Sequence, residues 1–437
     1  MKVSLISLGC PKNLVDSEII LGSLAKANFT LTSDWKNSDV VIINTCAFLK
    51  SAVAEAEKYI NKALSYKKNG KIKKIIIAGC LPQRFKTDLL EKFPDIDGVV
   101  GIDNLIDISK LCVSKVPQIK VTETPKHIYN NLAPRLLTTN HYAYLKIADG
   151  CDNFCSYCLI PSIRGRFRSR KIDDIIKEAK QLARNSVKEL VLIAQDTTLY
   201  GEDIYHKSSL ARLLKNLVKI KNIEWIRILY THPAHWTDEL IGVFQENPKI
   251  CRYVDLPLQQ ISNNMLKMMN RPYDRKAVEK LLTNLRKIPD LAIRTSFIVG
   301  FPGETNIDFA ELLDFIKKQK FAHLGCFKYS REPGTVAYNL PNQIPEKIKK
   351  ERYNAIMKAQ QKISLKRMKR FVGKRAKVIV DNKSNNKQYD YIGRTEFDAP
   401  EIDGVVYIKS ETVKVGDFVD ANITSAQPYA LIYNTKK

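Results

Sequence analysis

Apolar and polar positions along the chain follow two different periods, and their order divides the protein. Lys2–Leu8 has the pattern of a strand, and Pro11–Asn28 follows it with helical periodicity. Asp39–Asn44 (DVVIIN) is a fully apolar, buried type of strand, and Ala47–Tyr66 has the Ala-, Glu- and Lys-rich composition of a helix. Lys74–Ala78 is a third strand, and a helix is expected over Gln83–Phe93. Strands alternating with helices predict a doubly wound parallel sheet. The pattern weakens between about 112 and 140, around Pro117, Pro125 and Pro134. This places a first domain at 1–115 and a linker at 116–140.

A second alternating series occupies 141–345. Its strands are expected at Tyr142–Ile147, Glu189–Ile193, Trp225–Leu229, Tyr253–Leu256, Ala292–Val299 and Leu324–Tyr329, with helices between them such as Lys171–Asn185 and Thr305–Lys320. Six βα units of this kind predict a partial (βα)6 barrel, whose reactive groups gather at the C-terminal ends of the strands. Glu346–Val372 reads as a basic helical connector, with ten Lys and Arg against two Glu and few apolar residues. From Gly373 the pattern changes to short strands at Ala376–Val380, Val405–Lys409, Phe418–Ile423 and Ala430–Tyr433. A small all-β barrel over 373–437 is expected. The fold class is α/β, ending in that barrel.

Composition adds partners and compartment. No apolar run approaches the roughly 18 residues that span a bilayer, and the N-terminus lacks the features of a signal peptide. A cytoplasmic protein with no membrane partner is expected. The formal net charge of +25 favours polyanionic partners, with RNA or the ribosome foremost. Solvated basic faces would account for the same surplus. The nine cysteines, an odd number, argue against a disulfide framework and for metal binding where they cluster.

Three of them form the loop Cys151-Asp-Asn-Phe-Cys155-Ser-Tyr-Cys158, directly after an expected strand. A structural zinc site takes four protein ligands, and no fourth Cys or His lies close in sequence. Three thiolates on a four-iron cubane instead leave one iron open to a small molecule. A second set is dispersed: Cys10, Cys46 and Cys80 each fall just beyond the C-terminal end of an expected parallel strand. Such ends share one edge of the sheet, so three thiols converge there and offer a second three-thiolate site. Each alone would pass for a small buried residue, which is the reading for Cys112, Cys251 and Cys326. The histidines form no metal-ligand pattern; His232 and His235 flank Pro233 in what reads as a loop.

The C-x3-C-x2-C spacing resembles the signature of radical S-adenosylmethionine enzymes. The two cysteine sets, the six-unit core and the β module together resemble the methylthiotransferases, along essentially the whole chain. The likeness runs through Gly9-Cys10-Pro11-Lys12-Asn13, Val15-Asp16-Ser17-Glu18, Asn44-Thr45-Cys46, Ala78-Gly79-Cys80 and Asp149-Gly150-Cys151, then Gly300-Phe301-Pro302-Gly303-Glu304-Thr305 and Tyr329-Ser330-Arg331-Glu332. Cys10-Pro-Lys-Asn resembles the RimO branch, which modifies small-subunit ribosomal protein S-twelve, rather than the tRNA-modifying MiaB branch. The stretch Gly393–Gly404 looks similar to that branch too. Its Asp398, Glu401 and Asp403 suit a basic protein surface better than a phosphate backbone.

The resemblance implies an N-terminal methylthiotransferase domain, a radical core and a C-terminal TRAM domain. It implies two 4Fe–4S clusters, one on Cys151, Cys155 and Cys158 and one on Cys10, Cys46 and Cys80, with S-adenosylmethionine as cosubstrate. The reaction implied is radical insertion of a methylthio group at the β-carbon of an aspartate of protein S-twelve, within the small ribosomal subunit or free. Flavodoxin or ferredoxin would be the electron donor. Around the radical site Tyr157 would stack on adenine, Gln195 and Asp196 would hold the ribose or amino end, and Arg294 the methionine carboxylate. Gly300 and Gly303 would allow close backbone approach. One departure stands out: Gln260 replaces a histidine frequent in the family, and it cannot titrate. The competing readings are a tRNA adenosine methylthiotransferase and, more remotely, a non-catalytic metal-stabilised RNA- or ribosome-binding protein.

Overall fold

A computed structural model describes residues 1–434. The first unit is a six-stranded parallel sheet in the order Thr30–Leu31, Lys2–Ser7, Val40–Thr45, Lys74–Gly79, Gly98–Val100 and Gln118–Lys120. Val40–Thr45 is buried at every position, because its side chains enter cores on both faces. Val41 and Ile43 meet Ala56, Ile60 and Ala63 of helix Lys50–Lys68, whereas Val40 and Ile42 meet Ile20 and Leu24 of helix Pro11–Lys26. The sheet is doubly wound, as its pattern predicts.

Two expectations change here. The helix expected over Gln83–Phe93 is two, Cys80–Phe85 and Asp88–Lys92, broken at Lys86, whose φ of 46° does not continue a helix. The stretch expected to be a linker contributes Gln118–Lys120 as the edge strand of the sheet. Three residues are too few to carry a readable period.

The second unit holds six parallel strands in two hydrogen-bonded runs. Tyr142–Lys146, Glu189–Ile193 and Trp225–Ile228 form one, and Tyr253–Asp255, Ala292–Val299 and His323–Lys328 the other. A parallel bridge between Ile226 and Ile250 joins them into a partial barrel. Alternate residues divide between two cores: Leu145, Leu192 and Ile228 face the surrounding helices, and Tyr144, Val191 and Tyr253 face inward. The connector helix, Glu346–Met368, lies along this core rather than standing free. Ile356 and Gln360 are buried, and Arg352 pairs with Glu304 at 2.5 Å. None of the helices among the described residues is long and apolar enough to cross a membrane.

The third unit is a closed barrel of five strands, Arg375–Lys383, Tyr391–Thr395, Val405–Lys409, Ala430–Asn434 and Phe418–Gln427. Tyr391–Thr395 is absent from the sequence reading because Gly393 interrupts its pattern. Only glycine fits there: a Cβ would stand 2.3 Å from the Ile379 carbonyl oxygen. This barrel docks on the N-terminal ends of the core strands. Glu189 and Arg227, both fully buried, pair at 2.8 Å, and Arg394 reaches Glu189 at 2.5 Å.

The acidic stretch turns inward. Asp403 accepts from the Tyr253 hydroxyl at 2.6 Å and pairs with Arg294 at 3.3 Å, and Asp398 accepts from Thr395 at 2.6 Å. Both carboxylates are buried, so they satisfy the cations and phenols of the barrel floor and are not offered to a basic partner. Of the three, Glu401 alone is exposed, and it takes a hydrogen bond from Tyr142.

Candidate active site

Cys10, Cys46 and Cys80 follow the strands Lys2–Ser7, Val40–Thr45 and Lys74–Gly79, and so share one sheet edge. Asn13 stitches the three ends, donating to the carbonyls of Leu8 at 3.0 Å and Thr45 at 2.8 Å. Asn44 donates back to the Asn13 carbonyl at 2.9 Å. Gly79, at φ 91°, makes the turn into Cys80, and a Cβ there would sit 2.2 Å from Asn44 Oδ1. Lys12 leaves this edge for the core: its ammonium lies 3.1 Å from the Tyr230 ring centroid and donates to the Ala194 carbonyl at 3.2 Å. Burial brings the Lys12 ammonium down to about 8.

The loop bearing Cys151, Cys155 and Cys158 leaves the first core strand. Its entry depends on Gly150, at φ 81°, where a Cβ would lie 2.0 Å from the Arg166 carbonyl oxygen. Asp152 accepts from the Phe167 amide at 3.1 Å, and Asn270 donates to the Phe154 carbonyl at 2.8 Å. Two thiols already accept hydrogen bonds, Cys158 from the Ile160 amide at 3.4 Å and Cys155 from Arg271 at 3.5 Å.

Arg164 joins the two sets. This buried side chain donates to Asp149 at 3.0 Å on its own domain, and to Asn13 at 2.7 Å, Asp16 at 2.9 Å and Cys80 at 3.4 Å on the other. Lys146 also pairs with both carboxylates, at 2.5 Å to Asp16 and 3.1 Å to Asp149. Burial would raise the Asp149 carboxyl, but Arg164 and Lys146 outweigh it and hold the group far below the usual carboxylate range.

All six cysteines line one cavity of about 340 Å3 between the two units, together with Lys12, Asn153, Tyr157, Gln195, His232 and Arg271. Burial pushes the thiols up, Cys80 to about 12 and Cys151 to about 11, with Cys46 and Cys158 also raised. Repulsion from the other thiolates of the same set adds to each. Three such thiols ionise together only beside a compensating cation, so each donor set suits iron. Two lining atoms, Gln195 Oε1 and His232 Nε2, are buried without a hydrogen-bond partner. His232 Nδ1 accepts from the Ala234 amide at 3.3 Å, so in the neutral ring Nε2 carries the proton. Burial, then Arg271, keeps that ring neutral by lowering it well below the ordinary value. An unmatched acceptor and an unmatched donor fit a small polar ligand such as S-adenosylmethionine.

The residues expected from sequence divide by position. Tyr157 and Gln195 line the cavity, and Gln195 donates to Asp149 at 2.7 Å. Asp196 stands behind it, accepting from Asn153 at 2.9 Å and pairing with His235 at 2.8 Å. Arg294 does not reach the cavity, because Asp255 at 3.0 Å and Asp403 at 3.3 Å occupy its guanidinium. Gly300 and Gly303 also lie off the lining. Gly300 donates to Glu304 at 2.5 Å and abuts Lys349, and Gly303 abuts Met268. Gln260, fully buried, donates to Glu304 at 2.8 Å, and its neighbour Gln259 faces the cavity. Sequence reasoning missed Lys12, Arg164, His232 and Arg271. For Lys12 the signal was at hand, beside Cys10 in the quoted motif.

A cysteine-lined mouth on a partial barrel, with a second thiol set facing it, defines a radical S-adenosylmethionine enzyme. The Radical SAM superfamily model matches residues 145–316, that of uncharacterized protein family UPF0004 residues 2–101, and the TRAM domain model residues 372–434. The chain is 46% identical over 436 residues to the ribosomal protein uS12 methylthiotransferase RimO of Desulforamulus reducens, covering 98% of each. It is 45% identical to the same-named protein of Clostridioides difficile, covering 99% of this chain and 98% of that one. Among solved structures, the radical S-adenosylmethionine methyltransferase TsrM of Kitasatospora setae superposes with a TM-score of 0.57 at 14% identity, over 77% of this chain and 73% of that one. The cobalamin-dependent radical enzyme OxsB superposes at 0.52 and 13% identity, over 83% and 56%. Both share the fold. The chain belongs to the RimO family of methylthiotransferases. It is a transferase, and its cofactors are two 4Fe–4S clusters and S-adenosylmethionine.

Proposed function

We propose that Cys151, Cys155 and Cys158 hold one cluster and Cys10, Cys46 and Cys80 the other, and that the product is a methylthiolated aspartate of ribosomal protein uS12. The observation carrying this reading is that two sets of three thiols from separate domains border a single cavity. When bound, the clusters and S-adenosylmethionine supply the radical that removes a β-hydrogen and the methylthio group that replaces it. The chain supplies placement. Arg164, Asp16, Lys146 and Asp149 fix the distance between the two thiol sets. Tyr157 offers a ring face to the adenine, and Gln195 Oε1 and His232 Nε2 offer an acceptor and a donor to the polar parts of the cosubstrate. Arg271 takes the place at the cavity wall expected of Arg294 and suits the methionine carboxylate. Asp196 acts at one remove by orienting Asn153.

The reducing partner is a low-potential one-electron donor such as flavodoxin or ferredoxin, and the compartment is the cytoplasm. The small ribosomal subunit, where uS12 sits among RNA, is the context that matches the net charge of +25.

The test is anaerobic incubation of reconstituted enzyme with S-adenosylmethionine, a reductant and either uS12 or tRNA. Mass analysis of a uS12 aspartate peptide reads the outcome. A methylthio group on that aspartate is expected; an unmodified uS12 beside a methylthiolated tRNA adenosine overturns the substrate.

A further inference from the structure

On the face of the core opposite the cysteine-lined mouth, the connector helix, the closed barrel and the N-terminal strand ends enclose a groove of about 760 Å3. Its cations fall into two groups. Arg252 is neutralised by Glu396 at 2.7 Å, Lys377 by Glu224 at 3.0 Å, and Arg286 is bound to the Gln319 carbonyl. Arg367, Arg370, Lys374 and Arg375 have no carboxylate within ion-pair distance among the described residues, and Arg367 Nε is buried without a hydrogen-bond partner. Between them lie two half-buried rings, Phe371 and Phe397, 5.5 Å apart.

We propose that this groove binds the phosphate backbone of RNA, and that it does so independently of the catalytic mouth. Four unmatched cations in one concavity repel one another and are best satisfied by a run of anions at regular spacing. Arginine dominates, as its planar fork suits phosphate oxygens. The two rings add faces on which unpaired bases stack, which an acidic protein would not use. Neither a membrane-inserting apolar face nor a deep single-anion pocket is present here among the described residues. The reading goes beyond the assigned reaction: the substrate protein would meet the mouth while RNA is held on the opposite side.

The experiment is fluorescence anisotropy of a labelled single-stranded oligouridylate and a labelled RNA hairpin with the reconstituted full chain. The groove variant is Arg370→Gln with Lys374→Gln, both exposed. The control is Lys58→Gln with Lys68→Gln on the remote helix, which removes the same charge. The groove variant is expected to bind about tenfold more weakly at roughly 0.1 M salt, with a log–log salt slope shallower by about 1.4 for the single strand. The control is expected to match the parent, and both variants to modify free uS12 as the parent does.

Equal loss in groove variant and control overturns the proposal, as does absence of RNA binding by the parent at that salt. Polyglutamate competing as strongly as RNA overturns it in favour of an acidic protein. Failure of uS12 modification in the parent strikes the substrate reading alone, because the binding curves decide the groove.

Discussion

The Arg164 guanidinium stands 3.4 Å from the Cys80 sulfur while its other nitrogen holds Asp149, so one buried side chain ties a thiol of the first unit to the entry of the loop in the second. Arg164→Gln removes two of the charge pairs at this joint and leaves Lys146 to serve both Asp16 and Asp149. A loss of about 3–5 kcal/mol in unfolding free energy is expected, read by denaturant titration. Iron content is expected to fall as well, because the Cys80 edge loses its anchor. A variant with parent-like stability and full iron would contradict this role.

The two thiol sets should separate cleanly by substitution. Replacing Cys151, Cys155 and Cys158 with Ala is expected to leave about four irons and to abolish 5′-deoxyadenosine formation. Replacing Cys10, Cys46 and Cys80 is expected to leave about four irons and the same nucleoside product, with no methylthiolated protein. Iron assay and chromatography of the nucleoside check both; nucleoside from the first variant would sink the assignment.

Gly150→Ala tests the turn into the loop. Backbone atoms of Arg166 occupy the space a Cβ needs, and the φ of 81° is unfavourable for alanine. The variant should lose 5′-deoxyadenosine formation while the Cys10 set keeps its iron. Full activity would mean the turn has freedom that the geometry denies it.

Asp196 gives a pH-dependent signature. Burial would raise its carboxyl, but His235 and the other groups around it outweigh burial and hold it at about 2 against a model value of 3.8. The folded value lies below the unfolded one, so the contribution is complete above about pH 4 and is lost as pH falls towards 2. It amounts to about 2 kcal/mol. Asp196→Asn should flatten that limb of the stability curve, measured by thermal unfolding across the acid range. An unchanged acid limb would remove Asp196 from the account.

What the sequence disclosed follows from range. Cys10, Cys46 and Cys80 were legible because each lies just past a parallel strand, and strand position is a local signal. Ala292–Val299 was legible to the residue for the same reason. Arg164 was not, since its partners Cys80, Asp16 and Asn13 lie 84 to 151 positions away. Arg294 and the acidic pair Asp398 and Asp403 were misplaced for one shared reason. Charge in a sequence reads as surface, whereas here the β module brings carboxylates to cations and phenols that the core had already buried. The exchange of Arg294 for Arg271 at the cavity wall follows from that closure.

The closed floor has a kinetic meaning. With Glu189, Arg227 and Arg394 locked beneath it, the partial barrel is a cup rather than a tube. Cosubstrate, spent nucleoside and the protein being modified then share one doorway. Traffic through a single doorway must queue: a docked protein stands in the path of the departing nucleoside, and each turnover waits on the order in which its guests leave.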